Sequence, residues 1–175
     1  RTKLKKTGTK EGCAEGGCGA CTVVLGELKN NEIIYKTINS CITFLPTLQG
    51  KQLIIVENLT SANGSLHPVQ QAMINFHGSQ CGFCTPGFVM SLFSMFKNYT
   101  KYKDNIIKDS IAGNLCRCTG YQPIIKAAKS LKNKNKTDYF AKNKKKTIHL
   151  LKKINNKSIE NYHKGKKYFA PRYVQ

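Results

Sequence analysis

Tryptophan is absent, arginine is scarce, and acidic residues number only 9 against 29 Lys plus Arg. The resulting net charge of +20 would draw a chain towards phosphate backbones. Yet only Arg1, Arg117 and Arg172 are arginine, the residue whose planar fork suits phosphate and base recognition. The excess of Lys, Asn, Ile and Tyr reads as a compositional bias of the whole chain rather than a selected surface, so no nucleic-acid partner is expected. No apolar run approaches the roughly 18 residues of a membrane span, and a soluble protein is expected. A dinucleotide fingerprint and a phosphate-cradling glycine loop are also missing, so FAD binding by these residues is not supported. Nothing places a nucleophile, a general base and an oxyanion site in one constellation.

What the chain has is cysteine: eight in 175 residues, a length that allows one medium domain or two small ones. The stretch Glu11 to Cys21, EGCAEGGCGAC, holds Cys13, Cys18 and Cys21, and Cys41 follows after nineteen intervening residues. C-x4-C-x2-C with a distant fourth Cys is the plant-type ligand spacing of a 2Fe-2S cluster. Cluster iron is soft enough to prefer thiolate. Gly16, Gly17 and Gly19 permit a tight wrap that brings backbone N–H groups towards the cluster sulfurs. Structural zinc is the competing reading, although its usual signature is two short knuckles. Four disulfides would need an oxidising compartment. The spacing, with no secretory apolar segment, points to a reducing cytoplasm.

In chain order, Thr22–Glu27 reads as a strand, 28–31 as a turn and Glu32–Asn39 as the hairpin partner, which returns Cys41 towards the loop. Lys51–Leu59 reads as a further strand, and Ser61-Ala62-Asn63-Gly64 as a boundary. From His67 the periodicity turns helical: Val69, Ala72, Met73 and Phe76 share a face behind Pro68. His67 and His77, flanking this helix, read as surface or capping residues rather than ligands. The second cysteine group, GSQCGFCTPG, places Cys81 and Cys84 at the start of a helix with Thr85 as N-cap and Pro86 at N1. That helix has Phe88, Val89, Leu92, Phe93 and Phe96 on its apolar face, and its dipole favours a thiolate-ligated centre. A third helix carries Ile107 and Ile111 and stops at Gly113; Cys116 and Cys118 follow. A fourth begins after Gly120, with Ile124, Ala127, Ala128 and Leu131 on one face. Taken alone, this second group could also hold zinc.

The ordered set EGCAEGGCGAC, Cys41, GSQCGFCTPG and AGNLCRCTGYQPI closely resembles the iron–sulfur portion of the molybdenum hydroxylases, the xanthine dehydrogenase and aldehyde oxidase family. The likeness covers residues 1 to about 132, with thirty-one residues between Cys84 and Cys116, and TGTKEGCAEGGCGACTV looks most like the xanthine dehydrogenase branch. It implies an α+β fold: a plant-ferredoxin-like β-grasp domain over 1–60, lacking its first strands, and a four-helix domain over 61–132. It implies two 2Fe-2S clusters. Cys13, Cys18, Cys21 and Cys41 would hold one, nearer the flavin; Cys81, Cys84, Cys116 and Cys118 would hold the other, nearer the molybdenum. Gln80 matches a glutamine that hydrogen-bonds the molybdopterin.

Residues 133–175 carry thirteen Lys or Arg against Asp138 and Glu160, which reads as a basic linker over 133–166. Tyr168-Phe169-Ala170-Pro171-Arg172 resembles the segment that opens the family's flavin domain, assigned here to 167–175. The function implied is electron transfer from a molybdenum cofactor towards FAD and NAD. FAD and molybdopterin would lie on sequence beyond this one or on a partner: a molybdenum-binding large subunit and an FAD domain, in a hetero-oligomer. The alternatives are the small subunit of a related aldehyde, carbon monoxide or aromatic acyl-thioester enzyme, a zinc-binding basic nucleic-acid module, or a nonfunctional gene fragment.

Overall fold

The computed structural model describes residues 3–61, 63–132, 134–154 and 158–170. Arg1 and Ala62, and the part of the expected flavin-domain opening from Pro171 to Gln175, lie outside the described residues.

The amino-terminal half is organised by a hairpin. Strands β1 (Thr22–Lys29) and β2 (Glu32–Asn39) pair antiparallel from Thr22↔Asn39 to Lys29↔Glu32. The two residues between them, Asn30 and Asn31, have φ of 49° and 62°. Two consecutive left-handed residues make the tight turn whose twist matches a hairpin, and asparagine tolerates that conformation better than most side chains. A third strand, β3 (Gln52–Ile54), pairs antiparallel with the other edge of β1, giving the order β2-β1-β3. This strand is shorter than the expected Lys51–Leu59. The Asn58 side chain accepts from the Ile55 backbone N–H at 2.9 Å and closes a 3-10 turn over Val56–Asn58, and such local side-chain bonding ends a strand.

Four helices follow and reach this sheet through the second of them: α1 (Pro68–Asn75), α2 (Thr85–Asn98), α3 (Asp104–Ile111) and α4 (Gln122–Ser130). The central one is α2, buried at every position from Gly87 to Phe96. It touches β1, β2, α1 and α3, while α4 closes against α1 and α3. Val24, Ile33, Tyr35 and Ile54 from the sheet therefore share one hydrophobic core with Phe88, Leu92, Phe93, Ile107 and Ile124. The N-cap of α2 is Cys84, not Thr85. The Thr85 hydroxyl bonds the Ser79 hydroxyl at 2.7 Å instead, which leaves the cysteine at the boundary.

The basic stretch expected to be linker is largely structured. It forms α5 (Tyr139–Lys142), α6 (Lys144–Lys153) and β4 (Ile159–His163), whose antiparallel partner β5 (Lys166–Ala170) runs on into the expected flavin-domain opening. Phe140 is buried with its ring centroid 4.9 Å from that of Phe93, and Leu151 is buried too. Sparse apolar residues suffice here because they meet an existing core. A buried polar cluster adds to the attachment: Asp138 caps α5 through the Ala141 N–H, 2.7 Å, and accepts from Lys97 at 2.8 Å. His67, expected as a surface or capping residue, does cap α1 through Nδ1, which accepts from the Val69 N–H at 3.2 Å. It is nonetheless buried, because its other ring nitrogen faces Asp138. Among the described residues no helix is long and apolar enough to cross a membrane.

Candidate metal centres

All eight cysteines are free thiols. The hairpin register decides where the first four meet. Because Thr22 pairs with Asn39, Cys21, just outside the ladder, and Cys41, two positions past Asn39, meet at the open end with their sulfurs 3.2 Å apart. Ser40 tightens this end by donating both its N–H and its hydroxyl to the Cys21 carbonyl, at 3.3 and 2.8 Å. Cys13 and Cys18 form a second pair, with the Cys18 N–H on Cys13 Sγ at 3.4 Å. The Asn39 side chain donates to the Gly16 carbonyl at 2.6 Å and holds the intervening loop over the strand end. The Cys13 thiol is pulled down to about 7 by the backbone N–H groups of Glu15 and Cys18. Cys41 is pushed up by the thiol of Cys21.

The second four assemble at the amino terminus of α2. Cys84 caps that helix, Cys81 precedes it by one turn of loop, and Cys116 and Cys118 arrive on the α3–α4 connection. Here too the thiols pair, Cys81 with Cys118 and Cys84 with Cys116. Burial and the neighbouring Cys116 thiol push Cys84 up to about 12. Burial opposes ionisation of Cys116 as well, but the Thr119 hydroxyl, 3.1 Å from its sulfur, and the Thr119 and Cys118 N–H groups bring it down to about 7. Cys81 is lowered by the Phe83 N–H and the Cys118 thiol, while Cys118 is raised by Cys81. The Tyr121 hydroxyl accepts the Cys116 N–H at 3.0 Å, from a residue held at φ 67° before α4. Cys81 and Cys118 are exposed and Cys116 is buried, so this quartet opens on one side to solvent.

Among the described residues no three His, Cys, Asp or Glu side chains are gathered tightly enough to share one metal ion. The thiols of each quartet stand in pairs instead. Gln80 lies exposed in the turn immediately before Cys81. His77 is exposed on the rim of an apolar cleft of about 530 Å³ that is also lined by Gly82 and Thr85, on either side of Cys84.

Sequence reasoning passed over the residues that join the two quartets. Asn114 is buried, and its amide contacts three separate elements. The only signal was its position two residues before Cys116. Lys10, from the first loop, donates to the Gly82 carbonyl at 2.8 Å, between Cys81 and Cys84, and lies 5.5 Å from the centre of the Phe83 ring.

A mixed sheet-and-helix fold with two groups of free thiols belongs with iron–sulfur proteins, and residues 55–129 match the 2Fe-2S binding domain family. A xanthine dehydrogenase of Blastobotrys adeninivorans is 54% identical over 131 residues, 73% of this chain and 9% of that protein. Aldehyde oxidase 1 of Oryctolagus cuniculus is 46% identical over 132 residues, 74% of this chain and 10% of that protein. Among solved structures, quinoline 2-oxidoreductase of Pseudomonas putida 86 matches with 31% identity and a TM-score of 0.58, covering 71% of this chain and 75% of that one. The aldehyde oxidoreductase of Desulfovibrio desulfuricans matches with 32% identity and a TM-score of 0.63, over 75% of this chain and 14% of that one. The chain belongs to the molybdenum hydroxylase family, as its iron–sulfur portion. It spans about a tenth of the length of these curated relatives.

Proposed function

We propose that this chain is the electron-transfer module of a xanthine dehydrogenase-like molybdenum hydroxylase, standing between a molybdenum cofactor and FAD with NAD. Cys13, Cys18, Cys21 and Cys41 hold one 2Fe-2S cluster, nearer the flavin. Cys81, Cys84, Cys116 and Cys118 hold the second, nearer the molybdenum. The observation that carries this reading is the pairing of the thiols, of which Cys21 and Cys41 at 3.2 Å are one case. A centre with two irons takes two thiolates on each, whereas a structural zinc draws its four ligands around one point.

When bound, each cluster supplies a one-electron store. The chain's own residues do the rest. The thiols give up their protons to ligate, and the hydrogen bonds of the two loops already lower Cys13, Cys81 and Cys116. The Thr119 hydroxyl and the N–H groups around both loops stabilise the negative sulfur and tune the potential. Gln80 contacts the molybdopterin from its exposed turn. Residues 1–60 act as a ferredoxin-like β-grasp unit and 61–132 as the helical unit, joined across their common core. Residues 133–166 lead to an FAD domain opening at 167–175. The partners are the molybdenum-binding large subunit or domain and the FAD domain, in the cytoplasm. The substrate is a purine or an aldehyde.

A second reading, a stand-alone small subunit of a related hydroxylase, is favoured by one observation. The matched quinoline 2-oxidoreductase chain is of comparable length, 75% of it covered. Denaturing electrophoresis of the enzyme purified from its native source separates the two: these residues run either within one long polypeptide, as in the xanthine dehydrogenase of which the chain covers 9%, or on a short chain beside larger ones.

The test of the cluster reading is anaerobic reconstitution of the chain with iron and sulfide. The expected product is brown, holds about four irons and gives two distinct paramagnetic signals on reduction. Cys116→Ser with Cys118→Ser removes one signal and leaves the other. A colourless zinc protein, or two signals surviving that double substitution, overturns the reading.

A further inference from the structure

The two quartets are not independent sites sharing a scaffold. The carbonyl oxygen of Cys18 accepts the backbone N–H of Leu115 at 3.0 Å, so a residue of the first quartet is hydrogen-bonded to the residue immediately before Cys116 of the second. Between Cys18 Sγ and Cys116 Sγ there is thus a route made of covalent bonds and one hydrogen bond. Two other approaches guard it. A Cβ on Gly87, in α2, would run into the Gly19 carbonyl oxygen, and a Cβ on Gly19, whose φ is 71°, would run into the carbonyl oxygen of Gly113. Glycine at 19 and 87 is what lets the first cysteine loop lie directly on the start of α2 and the α3–α4 connection.

One side chain locks this junction. Asn114 is 3% exposed. Its amide nitrogen donates to the Gly19 carbonyl at 3.0 Å and to the Thr22 hydroxyl at 3.1 Å, and its amide oxygen accepts from the Ser91 hydroxyl at 2.6 Å. The Thr22 hydroxyl in turn donates to the Gly19 carbonyl at 2.7 Å. The amide therefore ties the first loop, the start of β1 and the middle of α2 to the connection that carries Cys116. An amide is the group for this work because it donates and accepts at once. A buried polar group with all its partners satisfied specifies one arrangement, and with partners missing it disfavours that arrangement.

We infer that Asn114 is a positioning residue that sets the separation of the two quartets by securing the Leu115 N–H to Cys18 C=O bond at their junction. This rests on the cluster reading above. The partners of the Asn114 side chain are Ser91, Gly19 and Thr22 rather than a thiol, and it acts through the backbone on either side of the junction.

The experiment uses the full reconstituted chain, with Asn114→Ala as the main variant and Ser91→Ala as a milder one that removes only one of the three hydrogen bonds. Two quantities are read. The first is the magnetic coupling between the two reduced centres, which falls steeply with their distance and which a merely looser fold with the same spacing would leave in place. The second is hydrogen exchange at the Leu115 amide. The expected result for Asn114→Ala is full iron content and both signals, an altered or lost splitting, and Leu115 exchange faster by about tenfold, the scale of one lost buried hydrogen-bond network. Ser91→Ala shifts both in the same direction by less. Unchanged splitting and unchanged Leu115 exchange in either folded variant overturn the inference, and if Asn114→Ala does not fold, Ser91→Ala decides. A parent chain lacking two signals overturns the cluster reading itself, a result obtained before any variant is made.

Discussion

His67 Nε2 lies 3.1 Å from Asp138 Oδ2, with both side chains almost wholly buried, although seventy-one positions separate them in the chain. The contact brings the cap of α1 against the segment that opens the basic carboxyl-terminal quarter. Lys97, from the last turn of α2, donates to both oxygens of the same carboxylate, at 2.8 and 2.9 Å. Its ammonium also sits 5.6 Å from the centre of the Tyr35 ring.

Asp138→Ala should therefore be among the costliest single changes outside the cysteines. It leaves Lys97 and His67 buried without their acceptor and removes the cap of α5, and breaking a buried pair in this way costs about 3–5 kcal/mol. Urea unfolding should show that loss, with faster proteolysis of residues 139–153. A loss near zero would mean that the carboxylate makes no net contribution.

The same group predicts an acid limb in the stability curve. Burial alone would raise the Asp138 carboxyl, but the hydrogen bonds from His67, Lys97 and the Ala141 N–H outweigh it and hold the group down to about 2. A folded-state value below the unfolded one means that the contribution is fully present above about pH 4 and is lost as pH falls towards 2. It amounts to roughly 1–2 kcal/mol once solvent screening is allowed for. Asp138→Asn should flatten the stability curve between about pH 4 and 2 relative to the parent; curves that stay parallel there would contradict the assignment.

The hairpin turn offers a test of how Cys41 is delivered. Asn31 has φ of 62°, and a β-branched side chain in that conformation costs roughly 1–2 kcal/mol. Asn31→Val should destabilise the chain by that amount and lower iron occupancy at the first quartet before the second, read as loss of one paramagnetic signal ahead of the other. Asn31→Gly should be tolerated.

Lys10 predicts a shift in potential. Its ammonium bonds the Gly82 carbonyl between Cys81 and Cys84, so it favours extra negative charge on a centre held there. Lys10→Ala should move the midpoint of the second centre to a more negative value. The shift should be on the order of 20–50 mV, since about 59 mV corresponds to a tenfold change for one electron and a part-exposed charge is worth less than that. Potentiometric titration followed by electron paramagnetic resonance measures it, and a positive shift would sink the argument.

The elements that could be read from residues were those with local causes. The turn expected at 28–31 between two β-branched runs announces the β1–β2 hairpin, although β1 runs on to Lys29 and leaves only Asn30 and Asn31 in the turn, and the apolar spacing from Phe88 to Phe96 announces α2. The expected strand over 51–59 came out as Gln52–Ile54, because composition does not reveal that the Asn58 side chain will take the Ile55 N–H. The stretch from 133 to 166 looked like solvated linker because its charge is visible along the chain. The partners of that charge are not: Asp138 meets Lys97 and His67, and Phe140 meets Phe93, across long separations.

By itself the order of residues determined the donor set, eight thiols in two spaced groups with glycines between them, and the periodicities of the sheet and the four helices, since each depends on neighbours a few positions apart. Only the tertiary structure decided that the groups pair their sulfurs, that Cys18 and Leu115 share a hydrogen bond, and that one asparagine holds the junction. The physical reason is range. A thiol's identity is carried by its own residue, whereas its distance to another centre depends on how helix and sheet close on a common core, and that packing is decided by contacts far apart in the chain.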